Sequence, residues 1–336
     1  MANAYMTASS YLGFVAEVTR GTTPGSGTVF WVPVATPQVT PNQMFLRDEA
    51  FRGSPAKLYN EVAGVRHDEY SLKTYLYADT FPVFVKGALG GTDTVTPTTA
   101  SYSHSIPLLN SASTGSQPLS YSICDFDGAN WFTLAGGQLD EMTVTFGAEV
   151  AGEVEAKYVT NPYTSATAAP APFTSLSYTS EQLIPTWNTT VTVGGSSLTY
   201  ISSGEIKIAR GTKPIFTGGS QTALQNFAGP IDVTGKLTGV VYSNADPFTT
   251  GTGYALSTSP QALVITMTDP ADIHTSIHDS IAFQMTDVQF QMSKRTRGKE
   301  YTEFEVEFHA EANTTDAASG YAPIKATIVN GISAAF

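Results

Sequence analysis

The sequence predicts a mainly β protein, an antiparallel β-sandwich or partial barrel that carries one principal α-helix. Two stretches, Leu139 to Val159 and Thr286 to Glu311, alternate apolar and polar residues with a period of two around a glycine-containing turn, as amphipathic hairpins do. Thr, Ser, Gly and aromatic residues are abundant while only 14% of residues are charged, a composition suited to strands and turns. The best helix signal is confined to a single segment near residue 80.

In order, Tyr11 to Thr19 reads as extended, and Arg20 to Gly27 as a Gly/Pro/Ser-rich loop. Val29 to Val34 and Thr40 to Asp48 follow as strands, then a turn at Phe51 to Pro55. Asp68 to Ala78 alternates Tyr70, Leu72, Thr74 and Leu76 with polar neighbours and reads as a strand. Asp79 or Thr80 can cap the helix, Pro82 suits its first turn, and Gly90-Gly91 stops it, with Phe81, Phe84, Val85 and Leu89 on one side. Leu119 to Phe126 and Asn130 to Ala135 form a strand pair turning at Asp127-Gly128.

In the first strong hairpin, Met142, Val144 and Phe146 face one way with Val154, Ala156 and Tyr158, leaving Glu153, Glu155 and Lys157 opposite. Residues 160–185 are an Ala/Pro/Thr/Ser-rich linker or surface arm. Trp187 to Val193 and Leu198 to Ile201 pair across Gly194-Gly195, and Glu205 to Ala209 is a strand. Ile231 to Tyr242 is a long strand whose Gly235 and Gly239 are potential bulge sites. A loop from Ser243 to Pro260 leads to strands at Ala262 to Thr268 and Ile281 to Met285. In the last hairpin Val288, Phe290, Met292, Phe304, Val306 and Phe308 oppose a row containing Glu303, Glu305 and Glu307. Its basic turn runs from Lys294 to Lys299, and Ile324 to Val329 closes the chain as a short strand.

The two hairpins share a pattern, which fits either a duplication with a period of about 150 residues or the generic likeness of amphipathic hairpins. The acidic rows have two readings as well. They are a solvated outer face, or, because like charges in register weaken a sheet, a face kept acidic for a task.

At 336 residues the chain can form one large β domain or two smaller ones. Its 29 acidic and 17 basic residues give a net charge of -12, which argues against gripping nucleic-acid phosphates or anchoring to an anionic membrane. The single cysteine, Cys124, rules out an internal disulfide and reads as a buried thiol. No export segment is legible, so assembly in a cytoplasm is expected. There is no Walker loop, dinucleotide fingerprint or nucleophile elbow. Asp272, His274, His278 and Asp279 read as a polar connector rather than metal ligands. Asp140-Glu141 and Glu153/Glu155 could in principle serve a glycosidase, but carboxylates on one exposed strand face are usually only solvated. No catalytic, cofactor or metal residues are expected. Trp131 and Trp187 read as core or interface anchors, and a carbohydrate-binding β-sandwich is the alternative for which they would matter.

The order of several short motifs resembles the major tail tube proteins of long-tailed, non-contractile bacteriophages. They are Tyr11-Leu12-Gly13-Phe14, Glu17 to Thr22, Arg52-Gly53-Ser54, Tyr77 to Pro82 running to Leu89-Gly90-Gly91, Ile206 to Thr212 with Pro214-Ile215-Phe216, and Gly229 to Leu237. The resemblance implies a structural virion protein without enzymatic activity, one tail-tube domain of two related halves (about 1–160 and 200–336) with decorations at 92–125 and 160–200. It implies hexameric rings that continue their β-sheets edge to edge into a multi-subunit barrel, stacked as a tube that conducts double-stranded DNA during genome ejection. The partners implied are further copies of the chain, the tape measure protein and other tail proteins, with DNA in transit and no membrane. On this reading Glu153, Glu155, Glu303, Glu305 and Glu307 line the lumen, where an acidic wall keeps the polyanion from sticking. Lys294, Arg295, Arg297 and Lys299 either meet acids of the neighbouring ring or form a solvated turn.

Overall fold

The computed structural model describes residues 9–98, 101–111, 115–178, 182–242, 248, 259–271, 278–298 and 300–336. Before the helix run β1 (Tyr11–Ala16), β2 (Val29–Trp31), β3 (Gln38–Asp48) and β4 (Asn60–Tyr75). After α1 (Phe81–Leu89) come β5 (Thr94–Pro97), β6 (Tyr102–Ile106), β7 (Tyr121–Phe126), β8 (Trp131–Gly147), β9 (Glu153–Thr160) and β10 (Thr164–Ala166). The second part holds β11 (Thr189–Val193), β12 (Ser196–Leu198), β13 (Ile201–Ala209), β14 (Lys213–Ile215), β15 (Gln225–Phe227), β16 (Asp232–Val240), β17 (Gln261–Thr268), β18 (Ser280–Arg297), β19 (Thr302–Ala310) and β20 (Lys325–Asn330).

Eight strands form one antiparallel wall in the order β3-β4-β9-β8-β13-β16-β19-β18. Two further runs back it in a sandwich-like arrangement. One is β2-β1-β7-β8-β10 and the other β12-β11-β17-β18-β20-β6-β5. The long strands β8 and β18 belong to both layers. The start of β8 pairs with β7, and its end pairs with β9 and β13. Gly136, at φ 68°, sits where β8 passes between layers, and an added Cβ there would press on Asn161. Sequence reading separated Asn130–Ala135 from the strand after Leu139; the structure runs them together, because a left-handed glycine lets one strand bend without ending. Ile281–Met285 likewise continues directly into the last hairpin as β18.

The core between the layers is built from the inward residues of the alternating strands, among them Tyr70, Leu72, Val144, Tyr158, Ile206, Phe283 and Phe304. The helix follows its sequence signals: Thr80 is at the N-cap, Pro82 is in the first turn, and Gly90 at φ 73° donates its N–H to Lys86. Thr80 makes no side-chain capping bond, and all nine helical residues are buried rather than one side only. Even Lys86 is enclosed, donating from Nζ to the Gly91 carbonyl at 2.6 Å. Burial lowers its pKa, with Asp93 opposing the shift.

Gly235 and Gly239 are not bulges: β16 keeps register with β19 past both. They face Phe308 and Phe304 across the ladder, and a Cβ at either position would strike the facing ring. The glycines exist to seat those rings. The basic turn also differs from expectation. Lys294, Arg295 and Arg297 lie on β18 itself, beyond a register shift after Met292 that lengthens the strand, so the connection is shorter than Lys294 to Lys299. Lys299 lies outside the described residues, as does most of the Ser243–Pro260 loop.

Candidate functional site

The wall has one face on the core and one away from it. Because each of its strands alternates, the outward side chains fall into rows that cross the sheet. One row runs Tyr75, Glu153, Thr145, Glu205, Lys236, Glu307, Gln291, and the next Lys73, Glu155, Thr143, Lys207, Thr234, His309, Gln289. All five glutamates singled out from the sequence thus lie on one continuous face, although β9 and β19 are four strands apart in the wall. Glu155, Glu303 and Glu307 are exposed, while Glu153 and Glu305 are half-buried.

Lysines on neighbouring strands temper this face. Lys73 binds Glu153 at 2.7 Å, and that hydrogen bond raises the lysine pKa although burial opposes it. Glu141 lies between Lys207 at 2.7 Å and Lys157 at 3.3 Å. Burial works against its charge, yet the two ammonium groups hold its pKa below the usual value. Lys236 reaches Glu305 at 3.7 Å, and His309 meets Asp232 at 2.9 Å. Sequence reading missed these partners because each lysine sits on a different strand from its acid, and only the register joins them. Around Glu205, Lys236, Gln289, Gln291, Glu305 and Glu307 the face opens into a shallow groove of about 590 Å³.

Among the described residues, both ends of the wall have a strand edge with no neighbouring strand. β18 from Phe290 to Arg297 has β19 on one side and no described strand on the other, and β3 pairs with β4 alone among the described residues. The outer part of the β3–β4 ladder projects as a two-stranded ribbon, since β4 joins β9 only from Asp68 onward. Met44, Phe45, Leu46, Phe51, Leu58 and Val62 are exposed on this ribbon and its tip. Its base is braced by Gln221, which accepts the Arg66 N–H at 2.8 Å and donates to the Ala63 carbonyl at 3.0 Å. An isolated hairpin is marginal in water, so an apolar ribbon of this kind calls for a covering surface.

The other residues singled out from the sequence fall elsewhere. Trp131 is partly buried and stacks on Phe126, with ring centroids 4.6 Å apart, whereas Trp187 is mostly exposed. Cys124 is buried, and burial pushes its thiol up to about 12. Asp140 accepts the Thr212 N–H at 2.7 Å and ties β8 to the loop after β13. Asp272 and His274 lie outside the described residues, and His278 donates to the Ala271 carbonyl at 3.1 Å. Among the described residues there is no group of three or more His, Cys, Asp or Glu side chains placed to hold a metal, and no helix long and apolar enough to cross a membrane. A buried knot missed from the sequence centres on Glu17. Its carboxylate accepts bonds from Ser120, Ser122, Gly21 and Gly136, each at 2.7 Å, and so fastens the loop after β1 to β7 and β8. Its only sequence signal was the polar run that ends an apolar strand.

A family model described as "Phage tail tube protein" matches residues 7–324. No curated protein matches the chain.

Proposed function

The chain belongs to the phage tail tube protein family, and from that premise we propose that it polymerises into stacked rings whose bore conducts double-stranded DNA during genome ejection. It is a structural component of the virion tail. The observation that carries the reading is the continuous polar face of the wall, bounded on both sides by edges that no described strand covers. Exposed edges are an aggregation hazard that soluble proteins suppress; here they serve as the ring contact. The outward face then becomes the lumen, lined by Glu153, Glu155, Glu303, Glu305 and Glu307. The lysines partnering some of these acids leave the face with a net negative charge, so a duplex passes without being gripped. The apolar β3–β4 ribbon reaches to an adjacent subunit. Lys294, Arg295 and Arg297, at the exposed end of β18, meet acids of the next ring. The tape measure protein fills the bore before DNA does, and the rings assemble in the host cytoplasm without an enzymatic step.

Electron microscopy of the purified full-length chain tests the assembly. Rings or tubes with a central hole are expected, and a discrete monomer at high concentration overturns the reading. The lumen assignment has its own test. Phage carrying Glu303→Lys, Glu305→Lys and Glu307→Lys together should build normal tails but deliver their genome several-fold more slowly; delivery at the parental rate overturns the assignment.

A further inference from the structure

Arg210 is a buried cation with no counter-ion among the described residues. It continues the inward alternation of Ile206 and Ile208, so its side chain leaves the end of β13 on the core side of the wall. Only 4% of the residue is exposed. Nη1 donates to the Ala88 carbonyl in the last turn of α1 at 3.3 Å, and Nε is buried with no acceptor. Burial lowers the pKa to about 10, and no described carboxylate opposes the shift.

The other enclosed cations are compensated. Arg20 donates to Gln138 at 2.9 Å and to the Pro118 carbonyl at 2.7 Å, and the charge of Glu17 opposes the effect of its burial. Arg66 pairs with Asp68 at 3.1 Å. Lys86 has Asp93 nearby. Arginine is rarely buried this far unless it is paired, because an uncompensated charge away from water is costly. The end of α1 offers Arg210 a partial negative charge of about one half, which does not balance an ion.

The Arg210 side chain lines a pocket of about 310 Å³ between the loop after β6 and the loop before β16. Leu108, Leu109, Phe227, Pro230 and Ile231 make the walls largely apolar. The amides at the pocket are already engaged. Gln117 donates to the Ala228 carbonyl at 3.0 Å and accepts the Ala228 N–H at 2.9 Å, while Asn110 donates to the carbonyls of Ser319 and Tyr321. The guanidinium is the one charged group among the lining residues. Its planar fork suits the two oxygens of a carboxylate, and apolar walls strengthen that pairing relative to water. A phosphate, with up to two charges and more oxygens, would need donors that this lining does not offer.

We infer that this pocket is a binding site for a carboxylate carried on an apolar body, with Arg210 as its anchor. The headgroup comes from a free apolar acid or from an acidic side chain flanked by apolar residues on a peptide. The site lies on the core side of the wall, away from the acidic face, and does not depend on the tube reading.

Ligand-observed saturation-transfer NMR on the full-length chain tests it. The probes are isovalerate and isovaleramide, the peptide acetyl-Leu-Glu-Leu-amide and its Gln counterpart, and inorganic phosphate. A carboxylate probe should bind about tenfold or more tightly than its uncharged counterpart, the difference a charged hydrogen bond makes. Binding of isovalerate identifies free acids as a source of the headgroup, and binding of the Glu peptide alone identifies a protein segment. Arg210→Met should abolish carboxylate binding and Arg210→Lys should keep part of it. A residue that merely caps α1 gives no carboxylate binding at all. That result, equal binding of acid and amide, phosphate binding as tightly as the carboxylates, or carboxylate binding that survives in Arg210→Met would each overturn the inference. The comparison of acid with amide uses the parent chain, so it decides the matter without relying on the folding of any variant.

Discussion

The first and second parts of the chain share one pattern of strand pairings, β1–β2, β1–β7, β7–β8 and β8–β9 matching β11–β12, β11–β17, β17–β18 and β18–β19, but are held together differently. The first is wired with buried polar groups, the Glu17 knot and Asp125 beside Tyr70, while His104, held by Asp93 at 2.7 Å, ties it to the Ile332 carbonyl at the end of the second at 2.8 Å. The wall of the second relies on rings seated over glycines, Gly235 under Phe308 and Gly239 under Phe304. In the same row across the wall, Thr74 faces Val154 in the first part. Total volume at the crossing is kept while the division between partners changes. The lesson is that the ladder fixes the fold, and the core tolerates different solutions as long as space is filled.

The comparison breaks most visibly at that crossing. Phe308→Ala should cost about 4 kcal/mol, against about 2 kcal/mol for Val154→Ala, because the ring fills the space its glycine partner leaves. Denaturant unfolding of both variants measures this, and equal costs would mean that the two crossings are not equivalent. Gly235→Ala should cost about 2 kcal/mol through overpacking against Phe308 and the Glu205 carbonyl. Thr74→Ala, at the matching site, should cost less, mainly through the lost hydrogen bond to the Pro33 carbonyl.

The polar wiring gives the first part a pH signature. Burial raises the Asp125 carboxyl to about 6, opposed by the Tyr70 hydroxyl donating at 3.2 Å. A carboxyl whose folded pKa is raised contributes stability that is fully present below its unfolded value near 4 and is lost as pH rises through about 6. Asp125→Asn should therefore raise the melting temperature at pH 8 and give no gain at pH 4; an equal gain at both values would show that the charge plays no part. His104 shifts upward as well: burial opposes its charge, but the hydrogen bond and charge of Asp93 outweigh it. The smallest effect belongs to the wall face. Lys73→Met should change stability by less than about 1 kcal/mol, since its ion pair with Glu153 is partly exposed, and the change should shrink further in high salt.

Much of the fold was legible because strands that bury one face must alternate, and helix ends must stop. The hairpins at Asp127-Gly128 and Gly194-Gly195, the helix from Phe81 to Leu89, and the inward rows of β9 and β19 all follow from local chemistry. The candidate face was half legible. Its glutamates declared themselves by period, while Lys73, Lys157, Lys207 and Lys236 became their partners only through register between strands distant in sequence.

The sequence by itself determined which residues alternate, where the helix begins and ends, and that the molecule is acidic and rich in strands. These depend on neighbours a few positions apart. Only the tertiary structure decided that β8 and β18 each serve two layers, that Gly235 and Gly239 seat rings rather than make bulges, and that the wall ends in two edges that no described strand covers. Strand pairing joins backbone groups separated by scores of residues, and a local pattern carries no record of which edge meets which, or which edge is left to meet another chain.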